Sequence, residues 1–323
     1  MVGGFVVPTD TKPLSISWSR LKTWEDCKQR VLLNQQGKAS GAVDGRIFLP
    51  GTIADRAMRQ WLNLDDPQPG QMPDMIDALF DEHTAPDAEY VIKWRGNQNQ
   101  DRLKVKNFVL EVVTKLEPIL LEKVIPYRWE PEIKFRYPVA IPYLDGTSVR
   151  IDLIGGIDIG VQEDDDEYAI YDLKATANDA YVRGATLGQL IFYDLAWRAG
   201  FGKSPKAAAF ITPACRERFV PLTITDEDRR VMMSRIIKYA QGVWAQDWKP
   251  KAEHTGCNWC EVKHACPKWA LPNVRDDQNR RRVSFADAAQ RRTLAIGGES
   301  GRTDDAERSE RAAEGDRPEE GSG

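Results

Sequence analysis

Residues 149–176 read VRIDLIGGIDIGVQEDDDEYAIYDLKAT, and the organisation of the chain follows from them. Apolar residues alternate through VRIDLIGGIDIGV and again through EYAIYDLKAT, which predicts two strands. The acidic run at 163–167 breaks the alternation and predicts the turn of an antiparallel hairpin. Upstream, WEPEIKFRYPVAI (129–141) alternates in the same way and predicts a third strand.

Outward from this β region the period becomes helical. Ser17 or Ser19 is placed to cap a helix carrying Leu21, Trp24 and Val31. Pro50-Gly51 precedes a helix with Ile53, Ala57, Met58 and Trp61 on one side. A long helix is expected over about 101–123. Beyond the hairpin the sequence predicts a helix near 187–199, strands near 206–212 and 218–222, and a Thr225-capped helix over about 226–244. The expected fold is therefore α/β, a mixed central β-sheet flanked by helices. Three parts are expected: an N-terminal extension over 1–13, one domain over 14–273 closed by a cysteine-rich module, and a disordered tail over 274–323. The tail is mixed in charge, rich in small residues and without an aromatic after Phe285, so it cannot bury enough apolar surface to fold. A short helix at 284–294 is the one element it offers.

Composition bounds the function. With 323 residues, 41% hydrophobic and 29% charged, the chain can bury a sizeable core. Five cysteines and a terminus without a signal-like apolar core point to a reducing, cytoplasmic setting. No apolar run is long enough for a membrane helix. The net charge of −4 argues against a uniformly basic surface, so a polyanion would need a local basic groove or a cation.

The chemistry-bearing residues cluster on the hairpin. Asp172 and Lys174 are two apart on one strand and share a face. Asp158, on the preceding strand, can share a cation with Asp172. Two carboxylates on one ion suit Mg²⁺ or Mn²⁺. A lysine on the same face can orient a water or stabilise charge on a phosphate. Asp152 and Asp179 are weaker candidates, Asp152 because it sits at the far end of its strand. Gln189 and Tyr193 share a helix face just downstream, placed to hold a nucleotide or phosphate.

Cys257, Cys260 and Cys266 form C-x₂-C-x₅-C, a thiolate metal-binding spacing. His264 would complete a local Zn²⁺ site; Cys27 would complete a four-cysteine site suited to [4Fe–4S]. Cys215 has no such neighbour and is expected as a buried thiol, and His83 and His254 as ordinary surface histidines.

The order of these pieces resembles the RecB-like branch of the PD-(D/E)XK nucleases, closest to the CRISPR-associated and phage exonucleases that carry an iron–sulfur cluster. The likeness runs from about Leu14 to Trp269. SISWSRLKTWEDCKQRVLL (15–33) is similar to the family's opening helix, where a cysteine, here Cys27, is the first cluster ligand. GTIADRAMRQWL (51–62) resembles its G-x-x-x-H helix, Asp158 its second-motif aspartate, Asp172 and Lys174 its D-x-K, Gln189 and Tyr193 its Q-x-x-x-Y, and Cys257, Cys260 and Cys266 its final cysteines.

The resemblance implies a restriction-endonuclease-like sheet and a metal-dependent DNA exonuclease acting on single strands or duplex ends in recombination, repair or phage DNA processing. Asp158 and Asp172 would hold Mg²⁺ or Mn²⁺, and Lys174, Gln189 and Tyr193 would complete the centre. A structural [4Fe–4S] cluster on Cys27, Cys257, Cys260 and Cys266 would be shielded by Trp259. Asp55 stands where the family usually has a metal-binding histidine; aspartate can still ligate a hard cation. Glu132 is a further carboxylate near the site, and Arg183 and Lys203 are candidates for DNA-backbone contacts. Related nucleases act as monomers, rings or helicase subunits, so a homo-oligomer or a helicase or recombination partner is compatible. A catalytically weak DNA-binding adaptor is the alternative, and a zinc-ribbon interaction protein the third reading.

Overall fold

The β region forms as the alternation requires, and its longest strand organises the rest. The computed structural model describes residues 13–38, 45–85, 88, 92–143, 147–165, 167–251, 257 and 260–269. These belong to the first of the two units into which the chain divides, Met1–Ala270. Residues 1–12 of the N-terminal extension, the expected tail with its short helix, Trp259 and His254 lie outside the described residues.

Strand β3 (Ser148–Asp164) pairs antiparallel with β2 (Arg128–Pro142) along nearly its whole length, from Arg128↔Gln162 to Pro142↔Ser148. That fills one edge of β3. The other edge is shared: β1 (Leu14–Ile16) runs parallel against Ile151–Leu153, and β4 (Glu167–Leu173) runs antiparallel against Ile159–Asp164. The C-terminal ends of β1 and β4 therefore face each other across a gap at 154–158. Beyond β4 lie β5 (Ala207–Ile211), parallel, and β6 (Phe219–Leu222), antiparallel. The sheet is mixed, with six strands, consistent with a restriction-endonuclease-like fold.

Helices cover both faces, so each strand needs apolar residues on both sides. One layer contains α3 (Leu49–Leu62), α4 (Gln71–Asp74), α5 (Ile76–Thr84) and α6 (Gln98–Lys123). Its core joins Ile53, Trp61, Phe80, Val112 and Leu116 to Ile159, Val161, Tyr171 and Ile211. The other layer contains α1 (Trp18–Asp26), α8 (Leu187–Phe201) and α9 (Asp226–Trp244), which pack Leu21, Phe192 and Ile236 on Ile151, Leu153, Ile157 and Phe210. Helix α2 (Lys28–Gln35) follows α1, and α7 (Asp179–Ala185) links β4 to α8.

The alternation of β3 changes phase midway. Ile151, Leu153 and Ile157 belong to the α1/α8/α9 core, whereas Ile159 and Val161 belong to the other. Strand β2 does the same, with Ile133 and Phe135 on the first side and Trp129 on the second. Between the two halves stands Glu132, at φ 58°, in the left-handed region that non-glycine residues seldom occupy. It is skipped in a register that would place it opposite Asp158. No helix among the described residues is long and apolar enough to cross a membrane.

Candidate active site

The break in phase is where the charged residues meet. Asp158 lies in the gap between the ends of β1 and β4. Leu173 N–H, at the end of β4, donates to Asp158 Oδ2 at 2.8 Å, and Lys174 N–H turns instead to Ile211 O at 2.8 Å. The strand end thus diverges from β3, and a side chain of β3 takes the place of a backbone partner.

Asp172 is 1% exposed. Gln189 Nε2 donates to its Oδ1 at 2.7 Å and also to the Tyr193 hydroxyl at 2.7 Å. Asp172 Oδ2 forms an ion pair with Lys174 Nζ but accepts no well-directed hydrogen bond. Gln189 and Tyr193 are brought to Asp172 by their i,i+4 spacing on α8. Expected over a substrate, they bond inward to the carboxylate; Tyr193 is buried, with Phe135 edge-on at 5.8 Å. Arg183 is paired on the surface with Glu217, and Lys203 lies toward Glu167, at the opposite end of β4 from Asp172. Asp152 is buried at the far end of β3, against Arg136 at 3.0 Å. Asp179 begins α7, near Cys215, whose buried thiol donates to Thr176 O at 3.1 Å.

Asp55 reaches the same centre from α3. Its carboxylate accepts from Arg59 Nε at 3.0 Å and Nη2 at 2.5 Å, and Arg59 Nη1 contacts Glu132 at 2.5 Å. The Arg59 bridge is the component that inspection of the sequence missed. Its signal was the Asp55/Arg59 i,i+4 spacing, which favours such a pair on any helix.

The carboxylates repel one another in a site poor in water. Burial, then Asp172 and Asp55, push the Asp158 carboxyl well above its usual range. Burial raises Asp172 despite Lys174, and burial raises Asp55 against the pull of Arg59. Burial works to lower Lys174, but Asp172 and Asp158 outweigh it and keep the ammonium charged. This excess of desolvated negative charge fits a hard divalent cation, for which Asp158 and Asp172 could supply oxygen ligands. Among the described residues no three His, Cys, Asp or Glu side chains converge as a complete metal site. That includes the cysteines. Cys27 stands at the α1–α2 junction, and the turn after Cys260 is fastened to α2 by Glu261, which accepts from Arg30 at 2.9 Å and Asn34 at 2.8 Å.

A direct consequence concerns stability without metal. A carboxyl raised in the folded state favours its protonated form, so ionising it costs stability as pH rises from the ordinary carboxylate range through the folded value. Asp158→Asn is expected to stabilise the metal-free protein at pH 7 by on the order of 1 kcal/mol, while losing activity. The gain should shrink as pH falls into the ordinary carboxylate range. Thermal melts at pH 7 and pH 4 check this, and equal melting points of variant and wild type at pH 7 would contradict it.

The family model of the PD-(D/E)XK nuclease superfamily matches residues 15–267. The chain belongs to the PD-(D/E)XK nuclease superfamily. The match takes in both ends of the domain, from β1 to the last cysteines. A PD-(D/E)XK chain is a phosphodiester-hydrolysing nuclease acting on DNA, and the superfamily typically uses Mg²⁺ or Mn²⁺. Among solved structures, one described as "Crystal structure of SSO0001" is similar at 13% identity, covering 81% of this chain and 89% of that one, with a TM-score of 0.34. None of the curated proteins matches.

Proposed function

We propose that the protein is a Mg²⁺- or Mn²⁺-dependent DNA exonuclease that cuts single strands or duplex ends, working in the cytoplasm of a bacterium or phage-infected cell in recombination, repair or phage DNA processing. The observation that carries this reading is the buried chain Tyr193–Gln189–Asp172–Lys174 facing Asp158. Asp158 and Asp172 would hold the cation, with Asp55 as a further carboxylate within electrostatic range. A cation there supplies an activated water and neutralises phosphate charge. Gln189, anchored by Tyr193, fixes the Asp172 carboxylate so that no reorganisation is needed during reaction. Lys174 holds a positive charge where charge develops on the phosphate. Arg59, held by Asp55 and Glu132, screens the remaining repulsion.

End-labelled linear DNA, single-stranded and duplex, and the circularised form of each, incubated with Mn²⁺, test the proposal. Degradation of either linear form with its circle left intact supports an exonuclease; cutting of linear form and circle alike shows an endonuclease, and cutting of none removes the proposal. The adaptor alternative draws on Asp55, which is engaged by Arg59. DNA binding without hydrolysis under any metal would favour it.

The cysteines are proposed to hold a structural [4Fe–4S] cluster through Cys27, Cys257, Cys260 and Cys266. Support comes from their spacing and from the Glu261 ties that fasten the C-terminal turn to the helix beginning after Cys27. Cys27→Ala protein is expected to lose its iron and its broad visible absorbance and to melt at a lower temperature. A stable, iron-replete Cys27→Ala protein would refute the assignment. His264→Ala separates the zinc alternative: metal content survives if Cys27 is the fourth ligand and falls if His264 is.

A further inference from the structure

Tyr181 is 50% exposed on α7, seven residues after Lys174. The backbone between them is fastened at several points. Thr176 Oγ1 accepts from Asn178 N–H at 3.2 Å, Asn178 Oδ1 from Tyr181 N–H at 3.0 Å, and Thr176 O from the Cys215 thiol at 3.1 Å. Val182, the next residue, is buried in the α1/α8/α9 core. The backbone that carries the ring is therefore fastened while the ring itself is half exposed, and its hydroxyl lies within electrostatic range of the Lys174 ammonium.

Among the described residues the other exposed Phe and Tyr rings are Phe48, Tyr127 and Phe201, and none of them directly follows the strand that carries Asp172. Phe201 is equally exposed, yet it stacks on Trp197 at 4.3 Å between centroids. Among the described residues nothing stacks on Tyr181 or bonds its hydroxyl. An exposed aromatic ring on a fastened backbone, within electrostatic range of Lys174, matches one chemical partner well. Nucleobases stack on such rings whatever their identity, and away from a duplex terminus only an unpaired base has a face free to do so.

We infer that Tyr181 is the stacking platform for the unpaired nucleobase next to the phosphodiester being cut, which makes the substrate single-stranded DNA or a frayed end. This rests on the nuclease proposal above. It assigns Tyr181 to substrate positioning, while Lys174 and the carboxylates act on the phosphate.

The test uses single-stranded oligonucleotides carrying 2-aminopurine at successive positions from the end, bound with Ca²⁺ so that binding is read without turnover. Wild type and Tyr181→Phe should quench the probe at one position, whereas Tyr181→Leu and Tyr181→Ala should lose that quenching and bind roughly tenfold more weakly, the scale of one base–aromatic stack. With Mn²⁺, an abasic site at that position should bring wild-type kcat/KM down to the level of Tyr181→Ala. If Tyr181→Leu quenches as wild type does, or if the abasic site lowers wild type and Tyr181→Ala by the same factor, the inference falls. Tyr181-dependent quenching by a wild-type protein that cuts no DNA would uphold the stack and remove the nuclease proposal. Hydrolysis indifferent to Tyr181 would do the reverse.

Discussion

Lys174→Met is expected to lower kcat for DNA hydrolysis on the order of 10³-fold while leaving Mn²⁺ affinity undiminished. The ammonium is paired with Asp172 and lies within electrostatic range of Asp158 in a largely desolvated site. There a fixed charge stabilises a developing oxyanion far more than it would in bulk solvent, and loss of one such group commonly costs ~10²–10³ in kcat. Methionine keeps most of the aliphatic stem and removes the ammonium, which lies 5.7 Å from the centre of the Phe210 ring, so the loss reports charge more than packing. Removing a positive neighbour also deepens the repulsion between the carboxylates, which favours a divalent cation. Asp172→Asn should behave differently, losing hydrolysis and metal affinity together. Isothermal titration with Mn²⁺ alongside rapid-quench kinetics separates the two. A Lys174→Met enzyme retaining a tenth of wild-type kcat would end the role assigned to this lysine.

Arg229→Met is expected to destabilise the fold by about 3–5 kcal/mol, the largest structural effect we anticipate. Asp194, next in sequence to Tyr193, is 2% exposed and is matched by Arg229 through Nε at 2.6 Å and Nη2 at 3.2 Å, with Ser204 on the same guanidinium. The arginine leaves the first turn of α9, where Thr225 and Asp228 form a reciprocal cap. Truncating it strands a carboxylate without water or counter-charge. The double variant Asp194→Asn/Arg229→Met should lose less than Arg229→Met alone, because no buried charge is left over. Urea midpoints with unchanged m-values measure both. A double variant no better than the single would show that the cost is packing.

The hairpin, the D-x-K face and the Gln189/Tyr193 pairing were legible because each rests on a short repeat of period 2 or 3.6. Three-residue β1 is too brief to show alternation, and α7 begins in ATAND, whose small and polar residues read as a loop until Asn178 caps it. Helices α4 and α5 (71–84) follow a proline- and glycine-containing stretch and escaped notice in the same way. Partnerships between distant residues, Arg59 with Glu132 and Asp194 with Arg229, leave no local pattern at all. The alternation of β3 even concealed something: Ile151, Leu153, Ile157, Ile159 and Val161 read as one continuous face, but the chain divides them between two cores.

That division gives the protein a seam. Asp55 and Arg59 belong to the α3 layer, Gln189 and Tyr193 to the α8 layer, and Asp158 stands on the line where the sheet passes from serving one to serving the other. The charge constellation is thus a joint property of two cores, and neither can assemble it alone. Warming or mild denaturant that slackens either layer will misalign the carboxylates while the other layer is still intact. Inactivation should run ahead of unfolding, making catalysis the most sensitive gauge of how the halves are seated.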